Sequence, residues 1–341
     1  MPGSTPLLSS VTLSEFTDLV EKTFLLRQKN FPMYAKQLYI NDPVPKNTGD
    51  TRRYDEVDTE TYALLKREGQ NASAAQVGIG YNKVVTVKRI AREVVITWEM
   101  RNFNKFPQVT GQLTTLNDFC PQRVELDLTH RFTFCNASSY VDMDGQSVDL
   151  TMGDGNPMIY GSHPLKFSAT TYNNEVTGDP TFSQSAIESA ELIAVTQIYS
   201  NFGEKRYMDF GTIITSDDPN TIREVKKLLF SSADVDTSNS GVINTHKGRY
   251  NHIILHQLAT TAVGAVDTTK RRWWFLGATN QGINGWQGYY GEAEAPNLKT
   301  PAAGNNGEDF HNDNWTYGVR TSYFIAIVSG KGIIAALPVS P

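Results

Sequence analysis

The residues in this sequence that could do chemistry are histidines, cysteines and grouped carboxylates. His252 and His256 stand four apart, a spacing that on a helix would turn two imidazoles to one face and suit a metal ion. The surrounding HIILH is β-branched and favours a strand, where the two rings would sit about 13 Å apart. DMDGQSVD carries Asp142, Asp144 and Asp149 in the manner of a calcium loop. Such a loop needs glycine at position six and glutamate at position twelve, and here Gly145 falls at position four, so a turn with solvated carboxylates is the better reading. Gly78 with Gly80, and Gly153 with Gly155, are GxG pairs lacking the third glycine and a following helix, which excludes a dinucleotide fingerprint. GxxxxGKS/T, GxSxG and HExxH do not occur. Cys120 and Cys135 are too few for a disulfide framework or a four-cysteine zinc site. Trp273, Trp274 and Phe275, with Trp286, Tyr289 and Tyr290, form the densest aromatic cluster. It could stack sugars or bases, but packing in a core is the commoner use of such residues. No catalytic, cofactor-binding or metal-binding residue is therefore assigned, and no enzyme activity or cofactor is expected.

The composition points the same way. The chain has 341 residues, 39 % of them hydrophobic and 20 % charged, enough apolar material for a sizeable core. Lysine and arginine number 31 against 36 aspartates and glutamates, a net charge of −5 that argues against tight binding of nucleic acid. No apolar run approaches the roughly 18 residues of a membrane span, and MPGSTPLLSSVTLSEF lacks the features of a secretory signal.

Several elements can be read from spacing. Thr12 and Glu15 form a capping box for a helix through Leu13, Phe16, Val20 and Phe24, after which Pro32, Pro43 and Pro45 impose an extended course. Leu113, Leu116, Cys120, Val124, Leu128, Phe132 and Cys135 make a stripe at helical spacing. Pro121 predicts a kink, or the true start of that helix. On one helix the two cysteines would be about 22 Å apart, too far for a disulfide, and are read as core thiols. Ser185 and Glu188 suggest a second capping box, and Asp218 with Pro219 a third helix start. Three apolar strands follow, YNHIILHQL, RRWWFLGA and SYFIAIVSGKGIIAALP, the last expected to fold back as a hairpin at SGKG. Helices and strands mix without strict alternation, the pattern of an α+β fold.

From Arg52 to Trp98 the chain reads as a long hairpin. The outgoing limb RRYDEVDTETY carries Arg52, Arg53, Asp55, Glu56, Asp58 and Glu60. The returning limb NKVVTVKRIAREVVITW carries Lys83, Lys88, Arg89 and Arg92, and a Gly- and Ala-rich tip separates the two. An acidic limb opposite a basic one favours pairing between them. Limbs of this length cannot form a core alone and must lie on something else.

In order, a helical arm, the charged hairpin running into EVVITWEMRN, a striped helix, the strand and capped helix of GTIITSDDPNTIREVKKLL, and the closing RWWFLGA and SYFIAIVSGKGIIAALP resemble the tailed-bacteriophage major capsid protein family, the Hong-Kong-97-type fold. The resemblance covers nearly the whole chain and rests on the sequence of elements rather than a strict motif. It implies an N-terminal arm over residues 1–45, an extended loop over 46–92, with Arg52–Ile90 as its body, and a peripheral domain over 93–139 with Leu113–Cys135 as spine helix. Residues 140–278 would form mostly the axial domain, and 279–341 a closing loop and strands. The implied function is self-assembly as hexamers and pentamers into an icosahedral shell around phage double-stranded DNA, in the virion after assembly in the host cytoplasm. The implied partners are other copies of the chain, portal, scaffold and decoration proteins, and DNA held without sequence-specific binding; no membrane is implied. Arg52, Arg53, Asp55, Glu56, Lys83, Lys88, Arg89 and Arg92 are the implied subunit contacts. The family's lysine–asparagine crosslink between subunits cannot be carried over, since Lys66, Lys83 and Lys88 have no identifiable partner. MPGSTPLLSSV, without a charged side chain, suggests that no scaffolding segment is fused. An encapsulin-like nanocompartment shell and, from another class, a carbohydrate-active enzyme are the alternatives.

Overall fold

A computed structural model describes residues 13–45, 48–60, 62–103, 106–233, 243–278, 285–301 and 314–339. In chain order the elements are α1 (Leu13–Asn30), β1 (Ile40–Asn41), β2 (Thr51–Thr59), β3 (Val77–Thr86), β4 (Lys88–Ile96), α2 (Trp98–Asn102) and α3 (Phe106–Thr133). Then come β5 (Ser139–Val141), β6 (Ser147–Asp149), β7 (His163–Pro164), β8 (Thr171–Tyr172), α4 (Gln184–Thr196), β9 (Thr212–Thr215) and α5 (Pro219–Phe230). The chain closes with β10 (Asn251–Ile254), β11 (Trp274–Gly277), β12 (Gly288–Lys299), β13 (Trp315–Ile327) and β14 (Ile333–Ala336). The architecture is mixed α/β, organised around two four-stranded sheets.

The long helix α3 is the common support. Leu116, Cys120, Val124, Leu128 and Phe132 are all buried along one face. Its first half packs with Phe16, Val20 and Phe24 of α1 against Ile96, Trp315, Tyr317 and Val319. Its second half, with Cys135 just beyond its end, packs into a core that includes Ile214, Phe275, Trp286 and Ile333. The helix runs unbroken through Pro121, contrary to the expected kink or start. Proline has no N–H to offer the carbonyl four residues back, which is that of Asn117. Gln28 Nε2 of α1 donates to that carbonyl at 2.8 Å and so satisfies the group that would otherwise break the helix. The Thr12 half of the first capping box lies outside the described residues.

One sheet has the order β1-β12-β13-β4, the other β10-β9-β11-β14. Strand period shows in the second: Ile213, Trp274, Leu276, Ile334 and Ala336 meet α4 and α5. Their neighbours Ile214, Phe275, Ile333 and Ala335 turn to α3. The aromatic cluster is thus divided between two cores. Trp273, Trp274, Phe275, Trp286 and Tyr290 are all buried, which removes the stacking platform that a carbohydrate-active enzyme would need.

Three local expectations require correction. SYFIAIVSGKGIIAALP is not a hairpin: β13 pairs with β12 and β4, whereas β14 pairs with β11. The SGKG segment passes from one sheet to the other, and it is buried because a Cβ at Gly332 would meet the Trp286 backbone and one at Gly330 the Met158 carbonyl. Helix α4 is capped by Ser183, whose Oγ accepts from Ala186 N, two residues before the expected Ser185. The limb NKVVTVKRIAREVVITW divides at Val87, with only β3 returning along β2 and β4 joining β13 instead. Asp218 caps α5 as expected, accepting from Thr221 N at 3.0 Å. His252 lies on β10 and His256 beyond it, His256 stacked edge-on to Tyr34, so the two share no helical face.

Candidate functional site: the root of the β2–β3 hairpin

The β2–β3 hairpin has its polarity reversed. Along β2 the side chains alternate, and Glu56 and Asp58 face the body, 4 % and 1 % exposed, while Val57 between them is 53 % exposed. On β3, Val77, Ile79 and Val84 also face outward. Val57 lies directly opposite Ile79, and Val77 stands two residues before Ile79 on the same face, so these apolar groups form one outward patch. Tyr62, Leu64 and Leu65 extend the exposed apolar surface towards the tip.

The carboxylates are tied to residues far away in the chain. Glu56 Oε1 and Lys331 Nζ form a buried ion pair at 2.9 Å, and Lys331 also donates to Asn201 Oδ1 at 3.1 Å. Asp58 accepts from Asn201 N at 2.7 Å and pairs with Arg206 at 3.3 Å. Between Asp55 and Val57 the register shifts, so Gly80 and Tyr81 of β3 together face Glu56. Only glycine fits at position 80, where a Cβ would lie 2.6 Å from Asn201 Nδ2 and 2.8 Å from Glu56 Oε2. At Gly78 a Cβ would run into the Phe167 ring. The GxG spacing therefore serves close packing of the hairpin on the body. Lys166 Nζ completes the attachment, donating to Gly80 O at 2.6 Å.

A second cluster holds β4. Lys88 pairs with Asp142 at 2.7 Å and Asp127 at 3.3 Å, and Arg123 reaches Asp127, Asp142 and Asp144. Tyr323, opposite Lys88 on β13, donates to Asp127 Oδ2 at 2.5 Å. The DMDGQSVD segment is the β5–β6 hairpin turn. Asp142 Oδ1 accepts from Asp144 N and Gln146 N, and its other oxygen is taken by Lys88 and Arg123. Lysine and arginine thus stand where a calcium ion would. Burial acts to raise the Asp142 carboxyl, but the Lys88 and backbone hydrogen bonds outweigh it and hold the group below the usual carboxylate range. No group of three or more potential metal ligands occurs among the described residues.

The structure brings some of the expected site residues together and leaves others apart. Glu56, Lys83 and Lys88 turn inward, Lys83 reaching Asp149 at 2.5 Å. Lys83 and Lys88 therefore pair with the body of the same chain rather than with the opposite limb. For Lys88 the reason is the separation of β4 from β2; Lys83, on β3 opposite Tyr54, lies on the face of the hairpin turned to the body. Arg53 and Asp55 pair with each other along β2, and Arg52 donates to Thr48 at 3.4 Å. Arg89 and Arg92 are exposed and have no carboxylate partner among the described residues, though Arg92 lies 5.8 Å from the Phe119 ring. Sequence reasoning missed Asn201, Arg206 and Lys331, because nothing in their local spacing announces a partner across the fold. The alternation of Glu56 and Asp58 about Val57 was a visible signal, but it reads as an exposed acidic face unless the partners are known.

These groups hold, orient and neutralise one another. No protein-family model matches the sequence, and no curated protein is significantly similar to it. Comparison of folds is informative. The structure of Mycobacterium phage Adephagia superposes with a TM-score of 0.51 at 9 % identity, covering 91 % of this chain and 92 % of that one. The cyanophage Pam1 capsid asymmetric unit gives 0.48 at 14 % identity over 86 % of each chain. The procapsid of bacteriophage JBD30 gives 0.47 at 13 % identity over 97 % of this chain and 77 % of that one. The similar structures include capsids and a procapsid of phages, and the fold shared with the Adephagia structure extends over 91 % of this chain.

Proposed function

We propose that this chain is a major capsid protein that self-assembles as hexamers and pentamers into an icosahedral shell enclosing phage double-stranded DNA. The reversed hairpin carries the proposal. A strand pair that buries its charges against its own subunit and turns Val57, Val77, Ile79 and Val84 outward needs a second surface to cover them. In a shell of this fold that surface belongs to the adjacent subunit. Residues 46–92 then act as the extended loop, 93–139 as the peripheral domain with α3 as its spine, and 140–278 mostly as the axial domain where subunits meet. Residues 1–45 are the arm and 279–341 the closing strands. Of the eight proposed contact residues, Arg53, Asp55, Arg89 and Arg92 face outward and are the ones available to a neighbour, with Arg52 at the margin. Glu56, Lys83 and Lys88 serve the contact by fixing the loop's course.

The net charge of −5 suits a container that holds DNA without neutralising its phosphates. Portal, scaffold and decoration proteins are the further partners this role entails, with assembly in the host cytoplasm and residence in the virion. The test is to replace residues 60–76 by a short turn, which keeps the paired strands and their buried root. Folded subunits that sediment only as small species are expected. Normal shells from this variant would show that the loop does not join subunits.

A further inference from the structure

Asp179 is the only residue other than glycine with a positive φ, 45°, among the described residues. Aspartate tolerates the left-handed region better than most side chains, but here Pro180 follows, and a proline pushes the residue before it towards extended geometry. The strain cannot relax locally, because the chain is tied on both sides of the bond. Val176 N donates to Ala335 O at 2.8 Å, and Asp179 N closes a turn on Val176 O at 3.1 Å. Beyond the bond, Pro180 O accepts from Trp274 Nε1 at 3.0 Å, and the Phe182 ring packs edge-on against Trp274. The carboxylate is held as well: Leu337 N donates to Asp179 Oδ1 at 2.8 Å, while Oδ2 has no partner among the described residues. The other two aspartate–proline bonds of the chain are unlike this one. Asp218 has φ −64°, and its carboxylate accepts from Thr221 N and Oγ1. Asp42 Oδ2 accepts from the Tyr54 hydroxyl.

We infer that the folded chain cuts itself between Asp179 and Pro180, with the Asp179 side chain as nucleophile. Oδ2 attacks the backbone carbonyl carbon of the same residue, and a C–O bond forms as the carbonyl electrons move to their oxygen. Pro180, having no N–H, cannot attack the side chain in return and divert it into an imide. Its nitrogen needs a proton to leave, and Glu175, just before the turn, holds one. Burial, and then the charge of Asp179, raise the Glu175 carboxyl above its usual value. The buried, neutral Cys135 thiol is the other titratable group that couples to Glu175, and β11 and β14 bring no ionisable side chain to the turn. As Glu175 protonates the nitrogen, the carbonyl re-forms, the C–N bond breaks and Pro180 departs as a secondary amine, leaving a cyclic anhydride on Asp179. Water reaches the turn at the exposed Thr177 and Gly178 and opens the anhydride to the side-chain carboxyl and a new α-carboxyl. Of the two protons released, one restores Glu175 and the other goes to the Pro180 amine. The net change is the addition of one water. The cut frees Asp179 from the left-handed region, needs only one folded subunit and does not depend on the shell reading.

Intact-mass measurement of the purified full chain, incubated at about pH 8 and about pH 6.5 and then denatured, tests the inference. Two pieces are expected, residues 1–179 and 180–341, with masses that sum to that of the chain plus one water. They should appear at a rate independent of protein concentration and about tenfold faster for each unit that the pH falls, following the protonated fraction of a carboxyl group. Asp179→Gly suits the left-handed backbone, lacks the nucleophile and should stay whole. Glu175→Gln should slow the cut at least about tenfold at the lower pH. A native chain still whole after days at the lower pH overturns the inference, whatever the variants do. Cutting that persists in Asp179→Gly overturns the assignment of the nucleophile, and an unchanged rate in Glu175→Gln overturns the role of Glu175. Equal cutting at Asp42–Pro43 or Asp218–Pro219, or in a chain kept unfolded in denaturant, would show ordinary lability of aspartate–proline bonds and overturn the role of the fold.

Discussion

Replacing Val57 by Asp and Ile79 by Lys should abolish assembly and leave the subunit folded. The two positions lie directly opposite on β2 and β3, so the new side chains form a cross-strand pair of opposite charge that preserves the hairpin. Val57, Val77, Ile79 and Val84 are 53, 69, 55 and 52 % exposed. Burying a whole valine or isoleucine is worth about 1.5–3 kcal/mol, so covering the exposed half of each contributes about 0.8–1.5 kcal/mol. The four together then supply about 3–6 kcal/mol to each contact. Losing two of them removes about 1.6–3 kcal/mol, or about 15- to 160-fold in the equilibrium for each contact. A closed shell repeats that loss at every subunit, and the charges must in addition be desolvated against an apolar surface. Sedimentation velocity should show small species at concentrations where the parent forms shells. The subunit's denaturant midpoint should change by less than about 0.5 kcal/mol in stability terms, as for exposed sites generally. Shells forming at the parental threshold would refute the reasoning, and so would an unfolded subunit, because the patch would then be supporting its own chain.

Acid should weaken the subunit before it reaches ordinary carboxylate pKa values. Burial pulls His130 from 6.5 down to about 4, with Lys270 and Arg123 adding to the effect and Asp127 opposing it. The unfolded chain therefore binds a proton that the folded one refuses, and stability present above about pH 6.5 drains away towards pH 4, up to about 3 kcal/mol in all. His252, held down to about 4 by burial and by Lys226, adds a loss of the same sign over the same window; melting temperatures between pH 7 and 4.5 measure the sum, and His130→Gln should remove about half of the slope. Gln28→Ala should cost about 1 kcal/mol by stranding the Asn117 carbonyl, and much less in a Pro121→Ala background, where an N–H is restored; denaturant titration of the double-mutant cycle reads the difference. Cys120 and Cys135 are free and buried, the Cys120 thiol pushed up to about 11 by burial and that of Cys135 higher still. Both should resist a thiol reagent at neutral pH until the chain is unfolded, as followed by mass or absorbance.

The helices were legible because their buried faces obey one period. The α3 stripe from Leu116 to Phe132 and the Asp218 cap of α5 need only local information. The unbroken course through Pro121 was not legible, since the group that rescues it is Gln28, 89 residues away. The loop misled for a related reason. Binary pattern alone would bury Val57 and expose Glu56, and only Lys331, 275 residues distant, reverses that choice. The division of the returning limb at Val87 likewise depends on β13, a strand that a single-limb reading cannot supply. SGKG had the composition of a hairpin turn, but its glycines admit the Trp286 backbone and the Met158 carbonyl instead. In each case the local signal was real and was overruled by packing against a remote segment.

The central claim is that the outward face of the extended loop lies against a neighbouring subunit in a closed shell. A cryo-electron-microscopy reconstruction of particles formed by the purified protein tests it most directly. The account predicts closed shells with five-fold and six-fold clusters, in which Val57, Val77, Ile79 and Val84 are covered by the adjacent copy. Protein that remains monomeric under assembly conditions, or shells in which that face stands open to solvent, would contradict it.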